Sequence, residues 1–236
     1  MRQIRNSHRY LVGFLGILTV LTHLGCSKEC SLDLAHAPEL RGFRLGTTLA
    51  QLRTRFPMIP EAPPSQLGRT TISIDPASMA ADINPTPSYL SGAVFLVVNS
   101  SKYPELVGTT RTNLELVDGR LASIEILYSN DVKWTSIDEF LKTVADGLHL
   151  DGSWKKVGED NEYSQHRSMT CQTLSIMAGF KSKLDSDTGA RQRAPYVKLE
   201  NFMETIQPML REYNKNENEN RSRKEQEEQK RKSFQP

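Results

Sequence analysis

Two strands joined by a turn are predicted by the stretch Thr112-Asn-Leu-Glu-Leu-Val-Asp-Gly-Arg-Leu-Ala-Ser-Ile-Glu-Ile-Leu-Tyr128. Apolar and polar residues alternate on both sides of Asp118-Gly119, which is typical of a β-hairpin. A two-residue loop would place Leu114 opposite Ser123, so the apolar faces of the two strands would disagree. A three-residue loop that starts one residue earlier pairs Leu114 with Ala122 and gathers the apolar residues on one face. We therefore expect the three-residue loop, with its glycine at positive φ.

A helix is predicted directly after this hairpin. Ser136 and Glu139 have the spacing of a capping box, in which two side chains satisfy N–H groups at the start of a helix. Apolar residues then recur at three- and four-residue intervals, the period of a helix; they are Ile137, Phe140, Leu141, Val144 and Leu148. Trp134 precedes the cap and is predicted to anchor the helix entry to the sheet, with stacking against a ligand as the alternative.

The first 25 residues have the pattern of an export signal. Three arginines precede an apolar segment that ends at Gly25-Cys26, and such a targeting element is excluded from the fold. The ending Leu24-Gly25-Cys26 resembles the lipobox of bacterial lipoproteins, with His23 at the place where that family usually has Leu. The resemblance implies an exported bacterial protein anchored in a membrane of the cell envelope by lipid on Cys26.

Two other outcomes of this N-terminal segment stay open. One is an exported protein without lipid. The other is an uncleaved transmembrane anchor, because the uncharged run between Arg9 and Lys28 has 18 residues. That length is at the short end of what spans a bilayer as a helix.

The chain has three cysteines, Cys26, Cys30 and Cys171. Export into an oxidising compartment permits disulfides. If Cys26 carries lipid, Cys30 and Cys171 form the possible disulfide; otherwise Cys26 competes with them. Three cysteines without paired histidines make a weak metal site, and Cys171 lies in a predicted strand. We therefore expect no metal site, no cofactor and no cysteine nucleophile.

The segment from Gly42 to Pro57 predicts a short strand and a short helix. Thr48 and Gln51 form a second capping-box pattern, and Pro57 ends the helix. The segment resembles the Gly-Met-Thr-plus-helix pattern of the SmpA/OmlA family of small outer-membrane assembly lipoproteins and of β-lactamase-inhibitor-like domains. The matching residues are Gly46, Thr48, Gln51 and Leu52, with Thr47 in the place of Met. The resemblance implies an envelope location and a domain in which helices pack on an antiparallel sheet, without implying a role in barrel assembly.

The remaining strands are predicted from shorter patterns. Thr71 to Asp75 is one strand, and the continuous apolar run from Ala93 to Val98 is typical of a buried central strand. Met169 to Ala178 predicts a strand that pairs with Pro195 to Phe202 across a charged loop, 181–193.

Together these elements predict an α+β fold: an antiparallel sheet with helices packed on one face. Two helix-plus-hairpin units in tandem are one arrangement of it. The predicted organisation is a signal peptide at 1–25, a linker at 26–41, a single α+β domain at 42–213 and a disordered charged tail at 214–236. The tail has almost no apolar residues to bury, although its mixed charges permit transient helix.

The charge distribution argues against binding of nucleic acid. The formal net charge of +2 includes three arginines of the signal segment and a tail with seven basic and five acidic residues. Residues 26–213 therefore carry a net charge of −3, whereas a nucleic-acid partner requires a clustered positive face.

No sequence motif of an enzyme is present: there is no Gly-x-Ser-x-Gly, His-Glu-x-x-His, P-loop or dinucleotide fingerprint. His36, His149 and His166 are isolated in the sequence. Asp151 and Ser153 follow His149 in a helix-exit loop and have no reason to converge with it. We therefore predict no catalytic residues.

Two classes of function follow from these observations. The first is a non-catalytic envelope lipoprotein that binds an envelope protein or polymer through its sheet face or loops. The alternative is a small-ligand-binding protein or hydrolase with its site in the loops 57–92 and 181–193. A deep pocket lined by converging polar groups favours the alternative, and a broad open sheet face favours the first.

Overall fold

The computed structural model of the chain describes residues 32–77, 87–90, 92–130, 134–184 and 189–234. The predicted signal segment, Cys26 and Cys30 lie outside these residues. Within them, nine strands are β1 (Arg69–Ala77), β2 (Ser88–Leu90), β3 (Ala93–Asn99), β4 (Thr109–Val117), β5 (Arg120–Tyr128), β6 (Lys155–Val157), β7 (Gln165–Cys171), β8 (Leu174–Leu184) and β9 (Arg191–Asn201). All nine belong to one sheet, in the order β2-β3-β1-β4-β5-β9-β8-β7-β6.

This sheet shows that the predicted α+β fold is wrong. Strand is the dominant secondary structure, and the described residues hold three α-helices: α1 (Leu49–Arg55), α2 (Ile137–Leu148) and α3 (Phe202–Ser233). The halves do not form tandem helix-plus-hairpin units, because β5 pairs with β9 and joins both halves in one sheet. The sheet is mixed, since β1 and β3 are parallel. Helices α1 and α2 have only 7 and 12 residues, too few to form a layer over nine strands.

The register of the sheet aligns apolar residues in a row across seven strands. Each residue of the row is opposite the next and is at most 2% exposed; in sheet order they are Val94, Ile72, Leu114, Ile124, Leu199, Ile176 and Met169. Burying one such side chain contributes about 1.5–3 kcal/mol. A slip of one residue would turn these side chains to the other face, so the row fixes the register.

The apolar face of the sheet is covered by two short helices and by irregular chain. Helix α1 contributes Leu52, and Phe56 directly after the helix stacks its ring on Phe43 at 5.3 Å. The described part of the predicted linker, residues 32–41, also packs here, with Ala37 and Leu40 buried. Helix α2 adds further apolar side chains to the same core.

Both short helices begin at the predicted caps. Thr48 and Gln51 form a complete capping box at the start of α1. At α2, the Glu139 N–H donates to the Ser136 hydroxyl at 3.1 Å. The Glu139 carboxylate accepts from the backbone N–H of Thr135 at 2.9 Å rather than from Ser136, so this cap extends one residue further than a capping box.

The β4–β5 hairpin has a two-residue loop, so the predicted three-residue loop is wrong. Asp118 and Gly119 form the loop, with φ of 49° and 77°, which is the pattern of a type I′ turn. A β-bulge restores the agreement of the apolar faces: Ala122 is the extra residue, and Leu114 lies opposite Ile124. The predicted positive φ of Gly119 is confirmed.

The predicted strand from Met169 to Ala178 is divided in the structure. The chain turns at Gln172-Thr173, where Gln172 has a φ of 53°, and Cys171 pairs with Leu174 across the turn. The predicted charged loop 181–193 is mostly strand, since β8 continues to Leu184 and β9 begins at Arg191.

Helix α3 continues through the segment for which the sequence predicts a tail. The helix reaches Ser233, and beyond Asn214 its side chains are exposed. Ion pairs at four-residue spacing, such as Glu228–Lys232 at 2.7 Å, are of the kind that supports a solvated helix by a few tenths of a kcal/mol each.

Candidate functional site

A groove of about 480 Å³ opens on the apolar side of the sheet, between α2 and the segment 39–41. Its floor includes Tyr128 at the end of β5 and Val197 of β9. The residues of α2 that line it are Phe140, Thr143, Val144, Gly147 and Leu148. The volume is in the range of small-molecule sites, and most of the lining is apolar, as in such sites.

A tight turn places Arg41 at the mouth of the groove. Leu40 and Phe43 exchange backbone hydrogen bonds of 2.9 and 3.0 Å, and Arg41 and Gly42 between them have positive φ. The Arg55 side chain of α1 donates to the Gly42 carbonyl. The turn is therefore joined to α1, and the residues on either side of it, Leu40 and Phe43, are buried in the core, so the backbone at Arg41 is held in place.

Arg41 lies over the ring of Tyr128, with the guanidinium carbon 5.4 Å from the ring centre. Burial raises the pKa of the Tyr128 phenol, although the neighbouring Arg41 charge opposes the shift. The phenol is therefore neutral at physiological pH. Among the described residues, no ion pair joins Arg41 to a carboxylate; Glu39, also at the mouth, lines the groove.

Two members of an aromatic cluster, Trp134 and Phe140, line the groove. The rings of Trp134 and Phe140 meet edge to face at 5.2 Å, and Phe140 contacts Phe180 of β8 at 5.5 Å. Trp134 therefore anchors the entry of α2 against the core, as predicted. It also lines the groove, so the alternative role, stacking against a ligand, is compatible with its position.

Gly147 lies in the α2 wall of the groove. It is an exposed glycine inside a helix, and a Cβ added there would have no other atom within 4 Å. A larger side chain at this position would therefore extend into space without a backbone clash. The sequence pattern alone did not mark Gly147 as part of a site.

The two loops proposed for the alternative function do not line this groove. Its described lining residues lie outside 57–92 and 181–193. Residues 78–86, 91 and 185–188 of those loops are outside the part of the chain that the structure describes.

His36 and His149 have local roles. The His36 ring pairs with Asp33 on the surface at 2.8 Å. The pKa of Asp33 is lowered chiefly by the hydrogen bond from the His36 backbone N–H and then by this ring contact. His149 has a φ of 54° and ends α2 as its left-handed cap residue.

His166 is the centre of a hydrogen-bonded chain that the sequence did not predict. Its Nε2 lies 2.7 Å from the Ser164 hydroxyl, and its Nδ1 lies 2.9 Å from the Tyr196 hydroxyl. A neutral imidazole donates at one nitrogen and accepts at the other. Burial, then the nearby Lys181 charge, lower the pKa of His166, so the neutral form is favoured.

The hydrogen-bonded chain through His166 crosses the position of Gly179, which has no side chain. Gly179 of β8 is the partner of both His166 on β7 and Tyr196 on β9, and a Cβ at Gly179 would clash with the β7 backbone. The His166 and Tyr196 rings meet edge to face at 5.5 Å. Burial raises the pKa of Tyr196 to about 12. The arrangement links β7 to β9 and lies on the sheet face opposite the groove.

The open face of the sheet carries charges that neutralise one another. Cross-strand pairs include Arg69–Glu115, Arg111–Asp75 at 2.7 Å and Lys181–Glu125. Exposed pairs of this kind contribute little to stability, but they leave little unbalanced charge for a partner. The sheet face is therefore a weaker candidate for binding than the groove.

Cys171 is fully buried and disulfide-bonded. The other two cysteines of the chain are Cys26 and Cys30, so one of them supplies the second sulfur. Both lie outside the described residues. The particular pair Cys30–Cys171, like the lipid on Cys26, stays a prediction.

Two further observations concern the described residues as a whole. No group of three or more His, Cys, Asp or Glu side chains among them is arranged to hold a metal ion, and no helix among them is long and apolar enough to cross a bilayer.

The geometry defines a class of protein, a mostly β domain with a preformed apolar groove. Compared with protein families, curated proteins and solved structures, the chain matched nothing.

Proposed function

We propose that the chain is a non-catalytic, exported bacterial envelope lipoprotein that acts as a binding module, with the α2 groove as its binding site. The observation that carries the proposal is the groove itself: a preformed, apolar-lined cleft of about 480 Å³ with the Arg41 cation at its mouth. Preorganised sites bind at lower entropic cost than sites that must form on binding.

The lining defines the chemical class of the ligand. The apolar walls and the Trp134–Phe140 pair favour an alkyl or aromatic group, because burial of apolar surface drives such binding. Arg41 lies at the mouth without a carboxylate partner among the described residues, so it favours an anionic end group. The ligand is thus an amphipathic anion, either a small molecule or an apolar side chain of a partner that ends in an acidic group.

The envelope location is supported by the sequence. The basic start, the apolar segment and the ending Leu24-Gly25-Cys26 resemble a lipoprotein signal. The test is the intact mass of the protein from its native host. We expect a mature chain that begins at Cys26 and carries acyl groups; a chain that begins elsewhere, or one without acyl mass, refutes the lipoprotein assignment and leaves the groove untouched.

The groove is tested by filling it. Gly147→Trp places a large ring into open space on the α2 wall, and Asp146→Trp is the matched control, since Asp146 is exposed on the same helix and does not line the groove. The probes are decanoate and decyltrimethylammonium below their micelle-forming concentrations, measured by calorimetry.

We expect decanoate to bind the wild-type chain and the Asp146→Trp variant, and to bind Gly147→Trp at least about tenfold more weakly, a loss of about 1.4 kcal/mol. Arg41→Gln should weaken the binding of decanoate and leave the binding of the cationic probe unchanged. Equal binding of decanoate by both tryptophan variants would show that the groove is not the site.

A further inference from the structure

An apolar stripe runs along the first three turns of α3 and is about half exposed. Phe202, Met203, Met209, Leu210 and Tyr213 are between 43% and 64% exposed. Their spacing of three, four and seven residues puts them on one side of the helix. Amphipathic helices normally turn this side towards the core, so its exposure requires an explanation.

The opposite side of α3 holds the helix on the domain. Thr205 and Pro208 are the buried residues of this helix. The Phe202 N–H donates to the Thr173 carbonyl at 2.9 Å, and Arg211 pairs with Asp118 at 2.7 Å. These contacts lay α3 across the ends of β9, β5 and β4, with its apolar stripe facing away from the sheet.

Cys171 lies at this same end of the sheet. It precedes the Gln172-Thr173 turn, and Thr173 accepts the hydrogen bond from the start of α3. Its disulfide therefore ties the N-terminal part of the chain to the end that carries α3.

The length of this connection limits where a membrane can be, given the proposed lipid on Cys26. A sulfur that carries a lipid thioether cannot also form a disulfide, so the partner of Cys171 is then Cys30. Cys26 and Cys30 are four positions apart in the sequence, a distance that the extended chain spans in at most about 14 Å. The lipid attachment point is thus held within a short distance of the α3 end of the sheet.

We propose that the apolar stripe of α3 docks on the lipid bilayer to which Cys26 is anchored. The inference rests on the proposed lipidation. The disulfide brings this end of the domain to the membrane, and an interfacial helix buries such a stripe among the headgroups. The helix ends with Lys230, Arg231 and Lys232 followed by an exposed Phe234, which suits an anionic lipid surface. In this orientation the β5 end that floors the groove points away from the bilayer.

The test measures the depth of an added tryptophan, above the signal of the native Trp134 and Trp154, in vesicles of phosphatidylethanolamine and phosphatidylglycerol that contain brominated acyl chains. The full mature chain, purified with its acyl groups, is compared as wild type, Met209→Trp and Asp146→Trp. We expect additional quenching for Met209→Trp only, since Asp146 lies on the exposed side of α2.

Two results would overturn the proposal. One is equal quenching of Met209→Trp and Asp146→Trp in protein whose acyl mass is confirmed. The other is a dimer in detergent that the substitutions Tyr213→Ser and Leu210→Ser dissociate, because the stripe would then bind a second copy of the chain. If intact mass shows no acyl group, the proposed lipid anchor fails, and extra quenching of Met209→Trp in that protein would still support docking of α3.

Discussion

At the scale of single residues, the hairpin turn provides a prediction with an internal control. Gly119 has a φ of 77°, and its carbonyl accepts the Leu49 N–H at 2.9 Å, which links the turn to α1. Because a Cβ is costly in this conformation, Gly119→Ala should lower the free energy of unfolding by about 1 kcal/mol.

Gly147→Ala is the matched control for this prediction. Gly147 is helical and has open space around it, so the substitution should raise the free energy of unfolding by about 0.5–1 kcal/mol. Denaturant unfolding measures both variants. A Gly119→Ala protein as stable as the Gly147→Ala protein would contradict the assigned turn.

His166 makes stability depend on pH. Its pKa in the folded protein lies below the usual 6.5, chiefly through burial and the nearby Lys181, so the folded state binds fewer protons than the unfolded chain. The contribution of the neutral His166 to stability is therefore fully present above pH 6.5 and is lost as the pH falls through the lowered pKa.

His166→Gln keeps an amide that can bond to Tyr196 and removes the titration. We expect the melting temperature of the wild type to fall more than that of His166→Gln between about pH 7 and pH 5. Parallel pH profiles would mean that the imidazole does not titrate against folding.

Sequence patterns predicted the structural features that depend on residues close together in the chain. The Thr48–Gln51 box, the Ser136 cap and the positive φ of Gly119 all follow from local chemistry. The Ala122 bulge did not, because a two-residue loop plus a bulge and a three-residue loop both bring apolar residues to one face.

At the scale of elements, α3 divides into a part that docks on the domain and a part that extends from it. The buried residues of this helix are Thr205 and Pro208. A chain ending at Tyr213 should therefore melt at the same temperature as the full chain, since the segment removed contributes no buried side chain.

The contrasting variant is Thr205→Arg, which forces a charge into a buried position. It should lower the free energy of unfolding by about 1–3 kcal/mol. If the chain ending at Tyr213 melted several degrees lower than the full chain, the exposed part of α3 would have a stabilising contact in solution.

An element boundary failed where a turn lacks the usual residues. The apolar positions between Met169 and Ala178 change phase at Gln172-Thr173, but this pair contains neither Gly nor Pro to signal a turn. The turn forms because Cys171 and Leu174 can then both be buried as opposite partners. The apolar run Ala93 to Val98 has a similar ambiguity: Val97 is 46% exposed, although the run predicts a strand buried on both faces.

At the scale of the whole molecule, the architecture depends on contacts between residues far apart in the sequence. The parallel pairing of β1 with β3 and the joining of the two halves through β5 and β9 have no local signal. The groove likewise forms from the segment 39–41, the end of β5 and α2. Its aromatic members could be predicted as core, but their arrangement around a cleft could not.

A disulfide joins Cys171 to the N-terminal part of the chain. A bond between Cys30 and Cys171 closes a loop of about 140 residues and, in the chain-entropy model, stabilises the fold by roughly 4–5 kcal/mol before strain. If these two are the pair, Cys30→Ala and Cys171→Ala should lower the free energy of unfolding by similar amounts.

The double variant should then be no less stable than either single variant, because one bond is lost in each case. Cys26→Ala should keep full stability and lose acylation. Denaturant unfolding and intact mass on the same four proteins measure both properties. Destabilisation by Cys26→Ala and none by Cys30→Ala would instead assign the bond to Cys26; the lipid anchor would then be excluded as well, since one sulfur cannot hold both.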